Sequence, residues 1–270
     1  MAEGALRLTR GSKITTPDTL SPVRYRRSVL ILRNPHSVLA ALAARPDDVE
    51  EIRLPEGRAH GAWEHVVDEA RRLSRPVSAL TADRQHSRER GRAAGGGRTG
   101  AEAHVRERDS VFLEEMFGEP AERGLWLALD EVQDPHNVGA IFRTAAFFGV
   151  RGIVTTDVRA ASLTSVVYDV ASGGVEAVPF AVEKNLRRSL QAAKAAGVWI
   201  LGTSEHATRE LAEVPRDRPW LIVVGNEESG LRRLTLETCD EVCRVAPRGE
   251  VVTSLNVSVA TGILVAALAG

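Results

Sequence analysis

The segment "PWLIVVGNEESG", residues 219–230, decides the fold class of this 270-residue chain. It opens with the most continuous apolar run in the second half of the sequence and ends in a polar loop bounded by Gly225 and Gly230. A strand without polar alternation is covered on both faces, as strands are in parallel sheets packed between helices. Ligands of such sheets bind beyond the carboxyl ends of the strands. The segment therefore predicts an α/β fold with candidate site residues in this loop.

Strands and helices alternate on both sides of this segment. "GLWLALDEV" (124–132) and "VWILGTSEH" (198–206) predict further strands, and "NVGAIFRTAAFFGV" (137–150) predicts a helix with one apolar stripe. Residues 28–90 alternate more weakly, which indicates a small α/β unit ahead of the main one. The predicted organisation is a disordered basic arm at 1–26, a small α/β domain at 27–117 and a parallel-sheet domain at 118–270.

The charge of the chain is nearly balanced. A formal net charge of −1 predicts no polyanion partner from bulk charge alone. The stretch 83–108 nevertheless concentrates seven arginines and two histidines. A solvated loop would explain this composition, and so would a phosphate-binding loop, because arginine binds phosphate through two parallel hydrogen bonds. Both interpretations stay open at this point.

Cysteine content and hydropathy narrow the class of protein. Cys239 and Cys243 are the two cysteines, too few for a disulfide framework and without neighbours spaced as zinc ligands. We therefore expect free thiols and no metal. Apart from residues 253–270, which Ser, Thr and Gly interrupt, no apolar run approaches the length of a membrane helix. The N-terminus lacks the apolar core of a signal peptide, so we expect no membrane association and a cytoplasmic protein.

Three polar clusters stand where predicted strands end or where a loop enters a helix. They are "DEVQDPHNVGAIFRTA" (130–145), "VGNEESGL" (224–231) and "APRGEVVTSLNVSVA" (246–260). Asn137 is placed to cap the helix that follows it, and a plain helix cap would also explain it. No G-x-G-x-x-G motif follows a predicted strand, and the sequence contains no phosphate-binding loop of the P-loop type and no G-x-S-x-G elbow. A site of this kind binds an organic molecule through backbone loops.

Taken in order, the strings "DPHNVGAIFRTAAFFGV" (134–150), "VVGNEESGL" (223–231) and "SLNVSVATGIL" (254–264) resemble the signature motifs of the SpoU/TrmH class of RNA 2′-O-ribose methyltransferases, in the SPOUT superfamily. The resemblance covers about residues 122–270. It implies a parallel sheet with a C-terminal trefoil knot, a homodimer, and S-adenosylmethionine (AdoMet) as cofactor. Residues 28–115 resemble, more weakly, the small ribosomal-protein-like RNA-binding domain that often precedes this catalytic domain.

The resemblance also implies roles for individual residues. The catalytic set is Arg143, Asn137, Glu227, Ser254 and Asn256. The AdoMet set is Gly202, Thr203, Gly225, Val245, Ala246, Ser254 and Leu255. The RNA-binding set is Arg88, Arg90, Arg92, Arg98 and Arg143. Because a guanidinium holds its proton at ordinary pH, we expect Arg143 to bind a phosphate and stabilise the developing alkoxide rather than act as a simple base.

The chain departs from the family pattern at the cofactor loop, where Ala246 replaces a usual proline and the following loop to Ser254 is one residue longer. The small domain in front favours 23S rRNA over tRNA as the substrate. Two alternatives remain: a non-catalytic RNA-binding protein that retains the fold, and an α/β enzyme that uses another nucleotide cofactor. The second is disfavoured by the missing phosphate-binding loop.

Overall fold

The computed structural model describes residues 28–80, 100–118, 123–156 and 163–269. Some predictions therefore lie outside the described residues: the disordered arm at 1–26 and the RNA-binding side chains of Arg88, Arg90, Arg92 and Arg98. None of the helices in the described part of the chain has both the length and the apolar character needed to cross a membrane.

The first part of the chain forms a four-stranded mixed sheet with two helices. The order of the strands is β1-β4-β2-β3, in which β2 and β3 are parallel and the other neighbours are antiparallel. The elements are β1 (Val29–Leu32), α1 (Pro35–Ala44), β2 (Val49–Leu54), α2 (Ala62–Arg72), β3 (Val77–Ala79) and β4 (Glu102–Arg106).

The second part forms a seven-stranded sheet with the order β7-β6-β5-β10-β8-β11-β9, in which all neighbouring strands are parallel. The predicted α/β fold with a parallel sheet is confirmed. Its elements are α3 (Leu113–Phe117), β5 (Leu125–Asp130), α4 (Pro135–Phe148), β6 (Gly152–Thr156), α5 (Ser165–Ala171), α6 (Gly174–Ala177), β7 (Phe180–Glu183), α7 (Leu186–Ala195), β8 (Trp199–Thr203), β9 (Arg209–Glu210), β10 (Trp220–Gly225), α8 (Arg233–Leu236), β11 (Glu241–Arg244) and α9 (Val257–Leu268).

Strand β5 shows why this sheet is buried on both faces. Its six residues are all buried. Leu127 and Leu129 pack into the cluster that contains α4, α5 and α9, whereas Trp126 and Ala128 pack into a second cluster with α3 and α7. Alternate side chains of a strand point to opposite faces, so each face needs its own layer of helices. Each fully buried large apolar side chain contributes roughly 1.5–3 kcal/mol.

Helix α4 is the element that positions the site. It packs against α5 through Gly139, where a Cβ would lie 2.7 Å from Val170 Cβ. On another side it packs against α9, with Gly262 facing Thr144. Helix α4 follows β5 and α9 follows β11, so both begin at the carboxyl edge of the sheet. A hydrogen bond between Asn256 and Asn137 shows that their first turns lie side by side.

Candidate active site at the carboxyl edge of the seven-stranded sheet

Helix α4 begins one turn earlier than the cap predicted at Asn137. Asp134 is the N-cap residue, and its side chain accepts a hydrogen bond from the His136 N–H at 2.8 Å. Pro135 occupies the first helical position, where its missing N–H costs nothing, and this leaves Asp134 to cap. The prediction that Asn137 caps the helix is therefore wrong. Asn137 lies inside the first turn with 7% of its surface exposed, and its amide is free for other contacts.

Hydrogen bonds join one side chain from each of the three motifs. Asn256 Nδ2 donates to Asn137 Oδ1 at 2.9 Å, and Asn137 Nδ2 donates to Glu227 Oε1 at 2.8 Å. Because a carboxylate only accepts, the Glu227 end fixes the orientation of the Asn137 amide, and Asn137 in turn fixes Asn256. The three side chains, which we call the amide chain, lie 119 and 90 residues apart in sequence.

Asn256 has a second role at the start of α9. Its Oδ1 accepts from the Ser258 N–H at 2.9 Å, from the Ser258 hydroxyl at 2.6 Å and from the Val259 N–H at 3.4 Å. Of the polar residues near this junction, Asn256 is thus the one that caps. Capping by its oxygen leaves only its Nδ2 for the amide chain, so the helix start and the site are held by one side chain.

The loop after β10 is closed by its own backbone. Asn226 and Gly230 exchange two backbone hydrogen bonds at 3.1 and 2.9 Å, and Gly230 has φ +65. A Cβ on Gly225 would overlap the backbone of Gly230 and Leu231. The tight turn therefore explains both glycines without a ligand, and the contact of Gly225 with a cofactor stays a prediction. The turn presents Glu227 to Asn137.

Four further residues brace this edge, and none of them was assigned an individual role from the sequence. Asp130, at the end of β5, is 1% exposed and pairs with Arg232 at 2.6 Å. Arg232 also binds Glu131 at 3.0 Å, and Asn226 Nδ2 donates to the Glu131 carbonyl oxygen at 2.9 Å. The sequence did contain a signal for such a contact, because β5 is an apolar strand that ends on an acidic residue, and a buried acid requires a partner. That the partner is Arg232 could not be read from the sequence.

Arg143 and Ser254 stand apart from the amide chain. Arg143 is exposed on the same stripe of α4 as His136 and Phe147, because these positions are seven and four residues away. Ser254 is exposed in the loop before α9. Within the described residues neither side chain has a hydrogen bond or an ion pair. The structure thus brings together Asn137, Glu227 and Asn256, and it leaves Arg143 and Ser254 available to a substrate.

The predicted AdoMet residues lie at the ends of neighbouring strands. Gly202 and Thr203 end β8, next to β10, and Thr203 Oγ1 donates to the Val223 carbonyl oxygen at 3.0 Å. Val245 and Ala246 follow β11, the other neighbour of β8, and both are half-buried. Leu255 is exposed in the loop that follows. Main-chain groups beside apolar side chains suit an adenosyl group, since an apolar ring is bound by apolar contacts and oriented by a few backbone hydrogen bonds.

The chemistry of the described side chains includes neither a metal cluster nor an activated thiol. No group of three or more His, Cys, Asp or Glu residues in the described ranges could hold a metal ion. Burial raises the pKa of Cys239 to about 12 and that of Cys243 to about 11. Both thiols are therefore protonated at neutral pH and serve as packing groups.

Known proteins resemble this chain in both sequence and fold. The model of the SpoU rRNA Methylase family matches residues 124–266. The 23S rRNA (guanosine-2′-O-)-methyltransferase RlmB of Bordetella pertussis is 35% identical over 237 residues, which cover 87% of this chain and 95% of that protein. RlmB of Pseudomonas aeruginosa is 37% identical over 232 residues, 84% of this chain and 91% of that protein.

Solved structures show the same fold at lower identity. The SpoU methyltransferase AviRb from Streptomyces viridochromogenes, in complex with AdoMet, superposes with a TM-score of 0.73 at 20% identity and covers 89% of each chain. The AdoMet-bound rRNA methyltransferase from Sinorhizobium meliloti superposes with a TM-score of 0.71 at 22% identity, covering 89% of this chain and 86% of that one.

Proposed function

Because the chain belongs to the SpoU rRNA methylase family, we propose that it transfers the methyl group of AdoMet to a ribose 2′-hydroxyl of 23S rRNA. Relatives named for this reaction are 35–37% identical over more than four fifths of this chain. The observation that carries the proposal is the amide chain, in which Asn137, Glu227 and Asn256 of the three motifs meet in one hydrogen-bonded unit. An enzyme that acts on ribosomal RNA works where ribosomes are assembled, so we propose a cytoplasmic location.

The reaction forms a bond between the ribose oxygen and the methyl carbon, breaks the bond from sulfur to that carbon, and releases the hydroxyl proton. Bound AdoMet supplies the electrophilic methyl on its sulfonium. The protein has to orient the 2′-hydroxyl and stabilise the negative charge that develops on its oxygen. We assign the second task to Arg143, whose guanidinium is exposed and, within the described residues, unpaired. It would bind the adjacent phosphate, which accepts the proton that Arg143 itself cannot take up.

The amide chain and Ser254 orient the substrate in this proposal. Asn137 and Asn256 are each held by two partners, so neither amide needs to reorganise when RNA binds. Ser254 precedes Asn256 by two residues and is exposed, within reach of a ribose that approaches the start of α9. Preorganised dipoles of this kind lower the barrier because their ordering cost is met during folding.

The cofactor loops and the path of the chain fit the same proposal. We propose that AdoMet contacts the ends of β8, β10 and β11 through Gly202, Thr203, Gly225, Val245, Ala246, Ser254 and Leu255. The late strand β10 lies between the earlier strands β5 and β8, and the segment after β11 returns to the start of α4, where Asn256 meets Asn137. This path, in which a late strand is inserted between earlier strands and the next segment returns to an earlier helix, supports the proposed trefoil knot.

We further propose that the four-stranded sheet, within residues 27–117, is the RNA-binding domain and that residues 118–270 form the catalytic domain. The two sheets share no strand, which supports this division.

A homodimer is supported by apolar side chains left in solvent on α9, where Val259 is 51% and Ile263 is 38% exposed. These residues are one turn apart, and a second copy of the chain would cover them.

The substitution Arg143→Ala tests the function. We expect it to reduce methyl transfer at least 100-fold, the effect of removing one preorganised charge-stabilising donor, while AdoMet binding measured by calorimetry stays unchanged. Transfer is measured with methyl-labelled AdoMet and 23S rRNA from cells that lack this gene. Arg188→Ala, an exposed arginine on α7, is the control and should keep full activity. Normal turnover by the Arg143 variant would exclude the proposed role.

A further inference from the structure

A second concave surface lies at the opposite, amino edge of the seven-stranded sheet. We call it the arginine cleft and define it by Arg123, Arg151, Arg216 and Arg218, which line a volume of about 280 Å³ together with Phe148 and Leu268. These arginines precede β5, β6 and β10, and the three strands are parallel neighbours in the sheet. Ligands of parallel sheets normally bind at the other edge, so four arginines here require a separate explanation.

The positive charge of the arginine cleft is poorly compensated. Arg218 Nε pairs with Asp217 at 2.9 Å, but the other three guanidinium groups form no ion pair with the residues that the structure describes. The charges of Asp217 and Glu241 both act on Arg218, and that of Asp217 also acts on Arg123. Among the described residues, four guanidinium groups therefore face two carboxylates, which leaves an excess of two positive charges. The carboxyl ends of α4 and α9 also border the cleft and contribute roughly half a negative charge each. About one positive charge remains, so the neighbouring carboxylates and the helix dipoles together do not neutralise the cluster.

Two of the guanidinium groups are held in place by indole rings. The Cζ atom of Arg218 lies 4.5 Å from the ring centroid of Trp199, and that of Arg151 lies 5.6 Å from the centroid of Trp126. Gly124 leaves room for this arrangement, because a Cβ there would lie 2.9 Å from Arg151 Nε. A stacked guanidinium keeps its planar fork of donors ordered, which lowers the entropy cost of binding an anion.

Exposed aromatic rings beside the cleft favour RNA over a simple anion. Phe148 lines the cleft, and its neighbour Phe147 is 83% exposed with its ring centroid 5.0 Å away. Trp199 is also exposed beneath Arg218. Single-stranded nucleic acids bind to surfaces that combine basic grooves for the phosphates with aromatic rings on which bases stack.

We propose that the arginine cleft binds phosphates of the rRNA substrate at nucleotides remote from the methylated one. This proposal rests on the proposed function. The cleft and the candidate active site lie at opposite ends of β5, whose six residues span about 20 Å. An RNA that reaches both sites runs along the outside of the seven-stranded sheet and its helices, from one end of the strands to the other. The cleft then contributes to affinity and to the choice of substrate, but not to the chemical step.

The test removes two unpaired arginines and leaves the stacked ones in place. In the double variant Arg123→Ala/Arg216→Ala, we expect the Kd for the rRNA substrate to rise about tenfold or more, as for lost hydrogen bonds to charged groups. The slope of log K against log salt should fall by roughly 0.7–0.9 for each lost phosphate contact. AdoMet affinity and kcat at saturating RNA should not change. The variant Arg123→Lys/Arg216→Lys should recover most of the salt slope.

Arg187→Ala/Arg188→Ala is the matched control, because it removes two exposed arginines from α7 on the other face of the sheet. Wild-type affinity and salt slope in the cleft variant, with wild-type protein methylating the RNA, would overturn the cleft while the proposed function stands. An equal loss in the control would also overturn it, since the effect would then reflect total charge. If the wild-type protein neither binds nor methylates rRNA, the proposed function fails and the cleft proposal fails with it.

Discussion

Asn256 combines two roles that ordinary substitutions cannot separate. Its oxygen caps α9, and its nitrogen donates to Asn137. Replacement by alanine removes both contacts. Replacement by aspartate keeps two acceptor oxygens at the helix start, where a negative charge is favourable, but removes the Nδ2 donor that faces the Asn137 oxygen.

We predict that Asn256→Asp and Asn256→Ala lose methyl transfer to a similar extent, about 10- to 100-fold, because both leave the Asn137 oxygen without its donor. They should differ in stability. The aspartate variant should be more stable than the alanine variant by about 0.5–2 kcal/mol, the contribution of a helix cap. Denaturant unfolding and single-turnover methylation measure the two effects. Wild-type turnover by the aspartate variant would show that the amide chain does not order the site.

At the residue scale, the sequence singled out three side chains that meet in the structure, but it did not predict the contacts that they make. The three members of the amide chain were recognised because they fall in motifs. The cap of α4 was assigned to Asn137, although the adjacent Pro135 moves the helix start back to Asp134. The pair Asp130–Arg232 spans 102 residues and depends on the register between β5 and the loop after β10. Local patterns do not carry such long-range information.

Helix α4 packs more closely against α5 than against α9, as the glycines at the two contacts show. At Gly139 an added Cβ would lie 2.7 Å from Val170 Cβ and 2.9 Å from the Val167 carbonyl oxygen. At Gly262 of α9 the nearest atom would be Thr144 Cγ2 at 3.9 Å, an ordinary contact. Strand and helix positions followed from hydrophobic periodicity, but the distance between two helices is set by side chains that are not neighbours in sequence.

We predict opposite effects of alanine at these two positions. Gly262→Ala should stabilise the protein by up to about 1 kcal/mol, the difference in helix propensity. Gly139→Ala gains the same propensity but forces α5 away from α4, which costs about 1–3 kcal/mol and more than cancels the gain. The two variants are controls for each other, since both add one methyl group inside a helix. Urea unfolding checks the signs, and a stabilised Gly139 variant would contradict the close helix contact.

The two sheets of the molecule are joined by polar contacts as well as by a continuous apolar cluster. Asp169 accepts hydrogen bonds from the backbone N–H groups of Arg33 and Asn34 at 2.9 Å. Arg45, directly after α1, forms a two-bond pair with Glu176 of α6 at 2.8 and 2.7 Å. Burial lowers the pKa of Arg45, but the hydrogen bond and charge of Glu176 outweigh it and leave the pKa of Arg45 raised, so Arg45 stays charged.

We predict that this buried pair fixes the orientation of the four-stranded sheet on the seven-stranded one. Arg45→Met leaves the Glu176 carboxylate, only 3% exposed, without its cation and should cost about 3–5 kcal/mol. In a protein of this size that lowers the Tm by roughly 10 °C, and proteolysis between β4 and β5 should accelerate. The double variant Arg45→Met/Glu176→Met removes both charges of the pair and should recover part of the loss. The recovery is partial because Arg108 loses the charge of Glu176 and Asp48 loses its contact with Arg45. If Arg45→Met keeps the wild-type Tm and protease resistance, the apolar cluster and the Asp169 hydrogen bonds hold the two sheets together without the pair.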